Sequence, residues 1–301
     1  MAAEDLGSPD KSTSTLPEVM AGRYRIERLL GAGGMGAVYQ ARDLLHEQFG
    51  EPDSRVAIKV LNAELAHTAD AGTLLYREFA LTRQLHHPHI LRIHAFDVDV
   101  ASGGAFLVQD LMRGLTLDCL MHERPEGLPW HELQSIAVAL LDALGHAHQR
   151  GVLHGDVKPG NIMLTEQGLR LFDFGLAHPL EGVQAGLPQL HPNGLRAWTP
   201  RYTAPERCDG ASLTEKAEVY AVACVLYELA SGEHPFGLAT DVSVGKPRSD
   251  RRLEKPESLP MACWATLRIA LASDPRDRAA SIDQLCALFR AAPAARSMRW
   301  F

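Results

Sequence analysis

The sequence predicts an α+β protein of two lobes, a small strand-rich one followed by a larger helical one, with a cleft between them. Three observations carry this. The first third alternates apolar and polar residues around a glycine-rich turn, the pattern of strands. The remainder carries apolar residues at helical spacing. Polar loops rich in charge and glycine sit between the apolar runs, where a rigid scaffold can present chemistry to solvent.

Taken in order, residues 1–22 read as a flexible leader, acidic and Ser/Thr-rich with no apolar core. "YRIERLL" from Tyr24 and "AVYQARD" from Ala37 read as two strands joined by the turn "GAGGMG", Gly31 to Gly36. A polar linker at 45–54 leads to a third strand, "RVAIKVL" at 55–61. Leu74, Leu75, Leu81 and Leu85 give residues 70–85 helical periodicity, and "AFLVQDLM" at 105–112 is a further strand. Helices are expected at 131–149, 216–231, 261–272 and 281–291. The folded domain is therefore placed at 23–291, with lobes 23–112 and 113–291, and residues 292–301 form a tail. In that tail "RSMRWF" has the character of the cytoplasmic edge of a membrane helix lying beyond residue 301, and equally that of an ordinary frayed end.

Composition removes several function classes. The net charge is −7, from 30 basic and 37 acidic residues, with no long basic run. A nucleic-acid partner needs a concentrated cationic face, so that class is set aside. The five cysteines show no CxxC pair, which suits reduced thiols and a cytoplasmic location. "HHPHI" at 86–90 lacks the spacing of a structural metal site. The longest apolar run, "VYAVACVLYELA" at 219–230, is too short to span a bilayer and suits a buried helix.

The chemistry-bearing residues follow. "GAGGMG" satisfies G-x-G-x-x-G, but a strand rather than a helix follows it. This argues against a dinucleotide fold and for a glycine hairpin whose backbone N–H groups can meet phosphates. Lys59 is a lone cation in the apolar strand Val56–Val60 and needs an anion, for which Glu78 on the next helix is the candidate. In "HGDVKPGN" (154–161) and "LFDFGLA" (171–177), Asp173 and Asn161 offer hard oxygen ligands suited to Mg²⁺ on phosphate oxygens. Asp156 is left as a carboxylate with no cation assigned, suited to accept a hydroxyl proton, and Lys158 can neutralise phosphate charge.

These motifs, with "APE" at 204–206, make the chain from about Tyr24 to Arg290 resemble the bacterial type of Ser/Thr protein kinase domain. Glu78 lies ten residues before Pro88, the family spacing for the glutamate that pairs with the strand lysine. Arg278 matches the arginine that pairs with the "APE" glutamate, Glu206. The resemblance implies a protein-kinase-like bilobal fold and transfer of the γ-phosphoryl of ATP to protein Ser/Thr hydroxyls, with Mg²⁺, or Mn²⁺ in its place. It implies that the backbone of Gly31, Gly33, Gly34 and Gly36 covers the phosphates and that Lys59, held by Glu78, meets the α- and β-phosphates. Asp173 and Asn161 would hold the metal. Asp156 would take the catalytic role, Lys158 would touch the γ-phosphoryl, and Thr199 would contact both. Val38, Ala57, Gln109 (at the gatekeeper position), Met112 and Met163 would surround the adenine.

"HGD" also occurs in small-molecule phosphotransferases of the aminoglycoside-kinase kind, and a nucleotide-binding pseudokinase is the other alternative. Lys158, "APE" and "WTPRYTAPE" at 198–206 point away from the first; the retained Lys59, Asp156 and Asp173 point away from the second. Two residues depart from the family. Glu218 stands where an aspartate usually holds the catalytic-loop backbone, and Gly155 is read as leaving room for its extra methylene. Gly155 also replaces an arginine that commonly binds an activation-segment phosphate, and residues 176–198 contain no Ser, Thr or Tyr. The two absences agree, and activity is expected not to require phosphorylation there, with Leu187, Leu190, Leu195 and Trp198 ordering the segment by packing.

Overall fold

In the computed structural model the described residues are 16–66, 68, 70–180, 187, 201–237 and 253–293. Strands β1 (Val19–Met20), β2 (Tyr24–Ala32), β3 (Gly36–Asp43) and β4 (Arg55–Leu61) are followed by β5 (Ile93–Val98) and β6 (Ala105–Gln109). They form one antiparallel sheet in the order β1-β2-β3-β4-β6-β5. Alternation along β4 sets its two faces. Ile58 and Val60 pack into a core with Met20, Tyr24, Phe106 and Val108, so Ala57 and Lys59 share the opposite face.

Two local readings change. Val19–Met20, inside the stretch read as leader, pairs with Tyr24 and Arg25, and Met20 is 2% exposed. Two residues are too few to show a period. The linker at 45–54 opens with helix α1 (Leu44–Gln48), because Asp43 accepts from the N–H groups of Leu45 and His46 and so caps it. A short α2 (Ala63–Ala66) precedes α3 (Ala71–Thr82), which is the expected helix of 70–85. Leu75 of α3 packs against Ile93 and Leu107 beneath the sheet, whereas Leu81 joins the core of the second lobe. Helix α3 therefore belongs to both cores.

The second lobe begins with β7 (Gly114–Thr116), α4 (Leu117–Glu123) and α5 (Trp130–Gln149). Next come β8 (Val152–Leu153), β9 (Ile162–Thr165), β10 (Gly168–Leu171) and β11 (His178–Pro179). The order β10-β9-β7 makes one small sheet and β11-β8 another. Helices α6 (Pro205–Cys208), α7 (Glu215–Ser231), α8 (Met261–Ala270) and α9 (Ile282–Ala291) complete it. Helix α7 is buried from Ala217 to Ala230 without a break, as its all-round apolar sequence requires. Thr214 caps its start and Gly232, at φ 77°, ends it. A capping box, Ser281 with Gln284, starts α9. No helix among the described residues is long and apolar enough to cross a membrane.

Candidate active site

A cavity of about 620 Å³ opens between the sheet and the helical lobe, roofed by the hairpin turn 31–36. Gly36 is fixed by packing: a Cβ there would lie 2.0 Å from the carbonyl oxygen of Val60 on the neighbouring strand. At Gly31, Gly33 and Gly34 a Cβ would meet nothing. The turn is tied down by Gly33 N–H donating to Gly36 (2.8 Å) and by Asn62, whose Nδ2 donates to the Gly34 carbonyl at 2.6 Å. Asn62 carried no signal in the sequence.

Lys59 projects from β4 into the cavity wall and meets two carboxylates. Its Nζ lies 2.7 Å from both Glu78 oxygens and 2.6 Å from Asp173 Oδ1. The expected anion is there, and a second one with it. Burial works against the charge on Lys59, but Asp173 and Glu78 outweigh it and raise its pKa. Burial likewise opposes charge on Asp173, and Lys59 prevails, holding its carboxyl below the ordinary range. Glu78, 4% exposed, is pushed upward by burial against the pull of Lys59. Asp173 has φ 65°, in the left-handed region that aspartate tolerates better than most residues.

On the floor of the cavity the Asp156 carboxylate is not without a cation after all. Lys158 Nζ is 2.5 Å from its Oδ2, and Asn161 Nδ2 lies 3.1 Å from the same oxygen. Asn161 Nδ2 also donates to the Asp156 carbonyl at 2.9 Å, which leaves its Oδ1 as the acceptor end. His154 is fully buried; its Nε2 is 3.0 Å from the Phe172 carbonyl and its Nδ1 accepts from Asp156 N–H at 3.2 Å. These partners assign the neutral ring with its proton on Nε2.

The loop backbone hangs from α7. Glu218 Oε1 accepts from Gly155 N–H at 2.6 Å, and Oε2 lies 2.7 Å from His148 Nε2 of α5. The longer glutamate thus reaches two partners at once, one of which, His148, the sequence did not indicate. Gly155 does not make room for the Glu218 methylene. With φ 83° it faces Leu176, and a Cβ there would lie 2.2 Å from the Leu176 carbonyl oxygen. The start of the next segment is also held by β8–β11 pairing and by Leu180 N–H donating to Gly151 (2.8 Å).

Of the residues expected around a base, Val38 and Gln109 line the cavity. The lining does not include Ala57, Met112 or Met163. Ala57 is buried between Gln40 and Gln109, its partners on the two neighbouring strands, and Met163 is half-buried opposite Thr116 of β7. Thr199, Leu190, Leu195 and Trp198 lie outside the described residues, while Leu187 packs against the helical core. Arg278, 0% exposed, grips Glu206 through both terminal nitrogens at 2.6 and 2.7 Å.

The comparisons agree with this geometry. Residues 24–289 match the family model described as "Protein kinase domain". The chain is 33% identical over 270 residues to the serine/threonine-protein kinase PkaA of Streptomyces coelicolor, covering 85% of this chain and 47% of that one. It is 32% identical over 276 residues to the serine/threonine-protein kinase PknB of Mycobacterium tuberculosis, covering 88% and 42%. The chain thus spans less than half the length of the curated relatives it matches. A crystal structure of the M. tuberculosis PknI kinase domain superposes with TM-score 0.68 at 30% identity, covering 92% of this chain and 98% of that one.

Proposed function

The chain belongs to the protein kinase family, and from that premise we propose that it transfers the γ-phosphoryl group of ATP to serine and threonine hydroxyls of protein substrates. The observation that carries this reading is the convergence of two charge clusters on one cavity: Lys59 with Glu78 and Asp173 on one wall, Asp156 with Lys158 and Asn161 on the other. Phosphoryl transfer asks for positioning and charge neutralisation more than covalent help, and this site is rich in both.

The residues present fit the implied metal. Asp173 and the Oδ1 of Asn161 supply two hard oxygens on the cavity wall, the donor type that a magnesium ion prefers. Those two residues would hold Mg²⁺, or Mn²⁺, which when bound supplies neutralisation of phosphate charge. The chain's own groups do the rest. Lys59 binds the phosphates with Glu78 orienting it, the turn 31–36 offers N–H groups above them, and Val38 and Gln109 lie beside the base. The Asp156 carboxylate, oriented by Asn161, accepts the hydroxyl proton as Lys158 steadies the transferring group.

The activity does not depend on phosphorylation within 176–198. Gly155 supplies no cation for a phosphate, and the segment's start is already held by Leu176 against Gly155 and by the β8–β11 pairing. We place the domain in the cytoplasm, in keeping with five free cysteines.

The test is incubation with γ-labelled ATP, Mg²⁺ and a generic basic protein, followed by phosphoamino-acid analysis. Label is expected on serine and threonine, and Asp156→Asn should lower the rate by about 10²–10⁴. Equal labelling by the two proteins would overturn the reading. Pretreatment with a phosphatase should leave the rate unchanged.

A further inference from the structure

At the C-terminal end of α3 lies a second open cavity of about 560 Å³. It is bounded by the last turn of α3, the loop at 86–87 and the start of β5, and it shares no lining residue with the first. Two chemistries meet in it. Phe79, Leu85 and Ile93 give it an apolar wall, and Arg83, Arg92 and His86 stand around the apolar part. Arg92 is exposed and its side chain makes no hydrogen bond or ion pair among the described residues, and Arg83 lies over the Phe79 ring at 5.4 Å. The nearby acids are already engaged: Asp142 with His87 at 3.4 Å and Asp110 with His94 at 2.7 Å.

Thr82, 3% exposed, lines this cavity, and its hydroxyl has no hydrogen-bond partner among the described residues. A buried hydroxyl left unpaired carries a desolvation cost that a ligand acceptor would relieve. His146 Nε2, behind the His87 ring (5.0 Å between centroids), is buried and unpaired as well.

We infer that this cavity binds a small organic anion, a phosphate or carboxylate group carried on an apolar body, and that its occupancy regulates phosphotransfer. The anionic group meets Arg92, Arg83 and the Thr82 hydroxyl, while the apolar body lies on Phe79 and Ile93. Thr82 is one helical turn after Glu78, on the same face of α3. A ligand that joins the end of α3 to the chain entering β5 holds α3 where Glu78 reaches Lys59. It therefore binds more tightly when ATP is bound, and the converse follows by linkage. The regulatory half rests on the kinase reading, whereas the binding half does not.

The probes are phenyl phosphate, benzoate and benzyl alcohol, titrated at constant ionic strength and followed by amide NMR shifts, with and without a non-hydrolysable ATP analogue. One of the two anions should saturate a single site at least roughly tenfold more tightly than the alcohol, and which anion does so identifies the group selected. Arg92→Gln, an exposed substitution, should weaken anion binding about tenfold without changing the alcohol, and Thr82→Val should do the same. Equal binding of all three probes, indifference to Arg92→Gln, or displacement by the nucleotide analogue overturns the site. In the wild type the bound anion should lower KM for ATP, and in Arg92→Gln it should not. An unchanged KM with binding intact removes the regulatory role alone. Loss of all phosphotransfer with binding intact counts against the kinase reading instead.

Discussion

Gly155 and Leu176 touch backbone to backbone: the Cβ that residue 155 lacks would sit 2.2 Å from the Leu176 carbonyl oxygen, and Gly155 holds φ 83° to allow the approach. The loop at 154–161 and the segment after Phe174 are therefore packed together where a side chain would force them apart. Gly155→Ala should cost about 1–2 kcal/mol for the left-handed backbone alone, with further loss from the clash. Urea unfolding and kcat measure the two effects. Gly155→Arg should be no better, because the obstacle is the backbone and not the missing charge. Wild-type stability and activity in Gly155→Ala would refute this account.

Glu218 ties α5, α7 and the loop at 154–161 together through His148 Nε2 and Gly155 N–H. Glu218→Ala leaves both partners buried and unpaired, so a loss of about 3–5 kcal/mol is expected. Glu218→Asp, one methylene shorter, should keep only one of the two bonds and fall between. Chemical denaturation of the three proteins orders them.

The same pair sets a pH dependence. Burial acts against charge on His148, but the Glu218 hydrogen bond, with Glu215 and Asp283 nearby, outweighs it and raises the His148 pKa. Burial pushes Glu218 up, and His148 overcomes this and lowers it. A raised histidine contributes stability that is complete below its unfolded value, about 6.5, and is lost as pH rises through the folded value. The lowered glutamate contributes above its unfolded value and loses that only in acid. Stability should therefore decline as pH rises from about 6.5, and the decline should disappear in His148→Gln. An identical pH–stability slope in both proteins would count against the pair.

Lys59 stands between Glu78 and Asp173, so its removal strands two carboxylates together. Lys59→Met should abolish phosphotransfer and destabilise the fold by about 3–5 kcal/mol. Adding Glu78→Gln should restore part of the stability and none of the activity. Simple additivity of the two substitutions, read by thermal unfolding, would show that the ion pair does not couple them.

Arg278 uses all five of its N–H donors: Glu206 takes two, and the carbonyls of Ala272, Lys216 and Ser273 take the others. A lysine has neither the fork nor the donor count, so Arg278→Lys should lose roughly 2 kcal/mol or more despite keeping its charge. A loss below 1 kcal/mol in urea (roughly the value of one ordinary hydrogen bond) would indicate that those bonds do not form.

Much of this protein could be read from local sequence. The glycine turn between strands, Lys59 and Glu78 as partners, Arg278 with Glu206, and the loops of Asp156 and Asp173 all declare themselves by residue type and spacing. The long helices announce themselves by period. What escaped was either too short to show a period, as in β1 and α1, or too distant in the chain. Ala57, Met112 and Met163 were expected around a base and are not among the residues that line the cavity.

The sequence alone supplied the chemical groups, a carboxylate, an ammonium and a carboxamide gathered in one short loop. It could not determine who answers whom across the fold. Asp173 pairs with a lysine 114 positions away, Glu218 finds His148, and Gly155 yields its space to Leu176 rather than to Glu218. Close packing of distant segments decides such matters, since a shift of an ångström exchanges one partner for another.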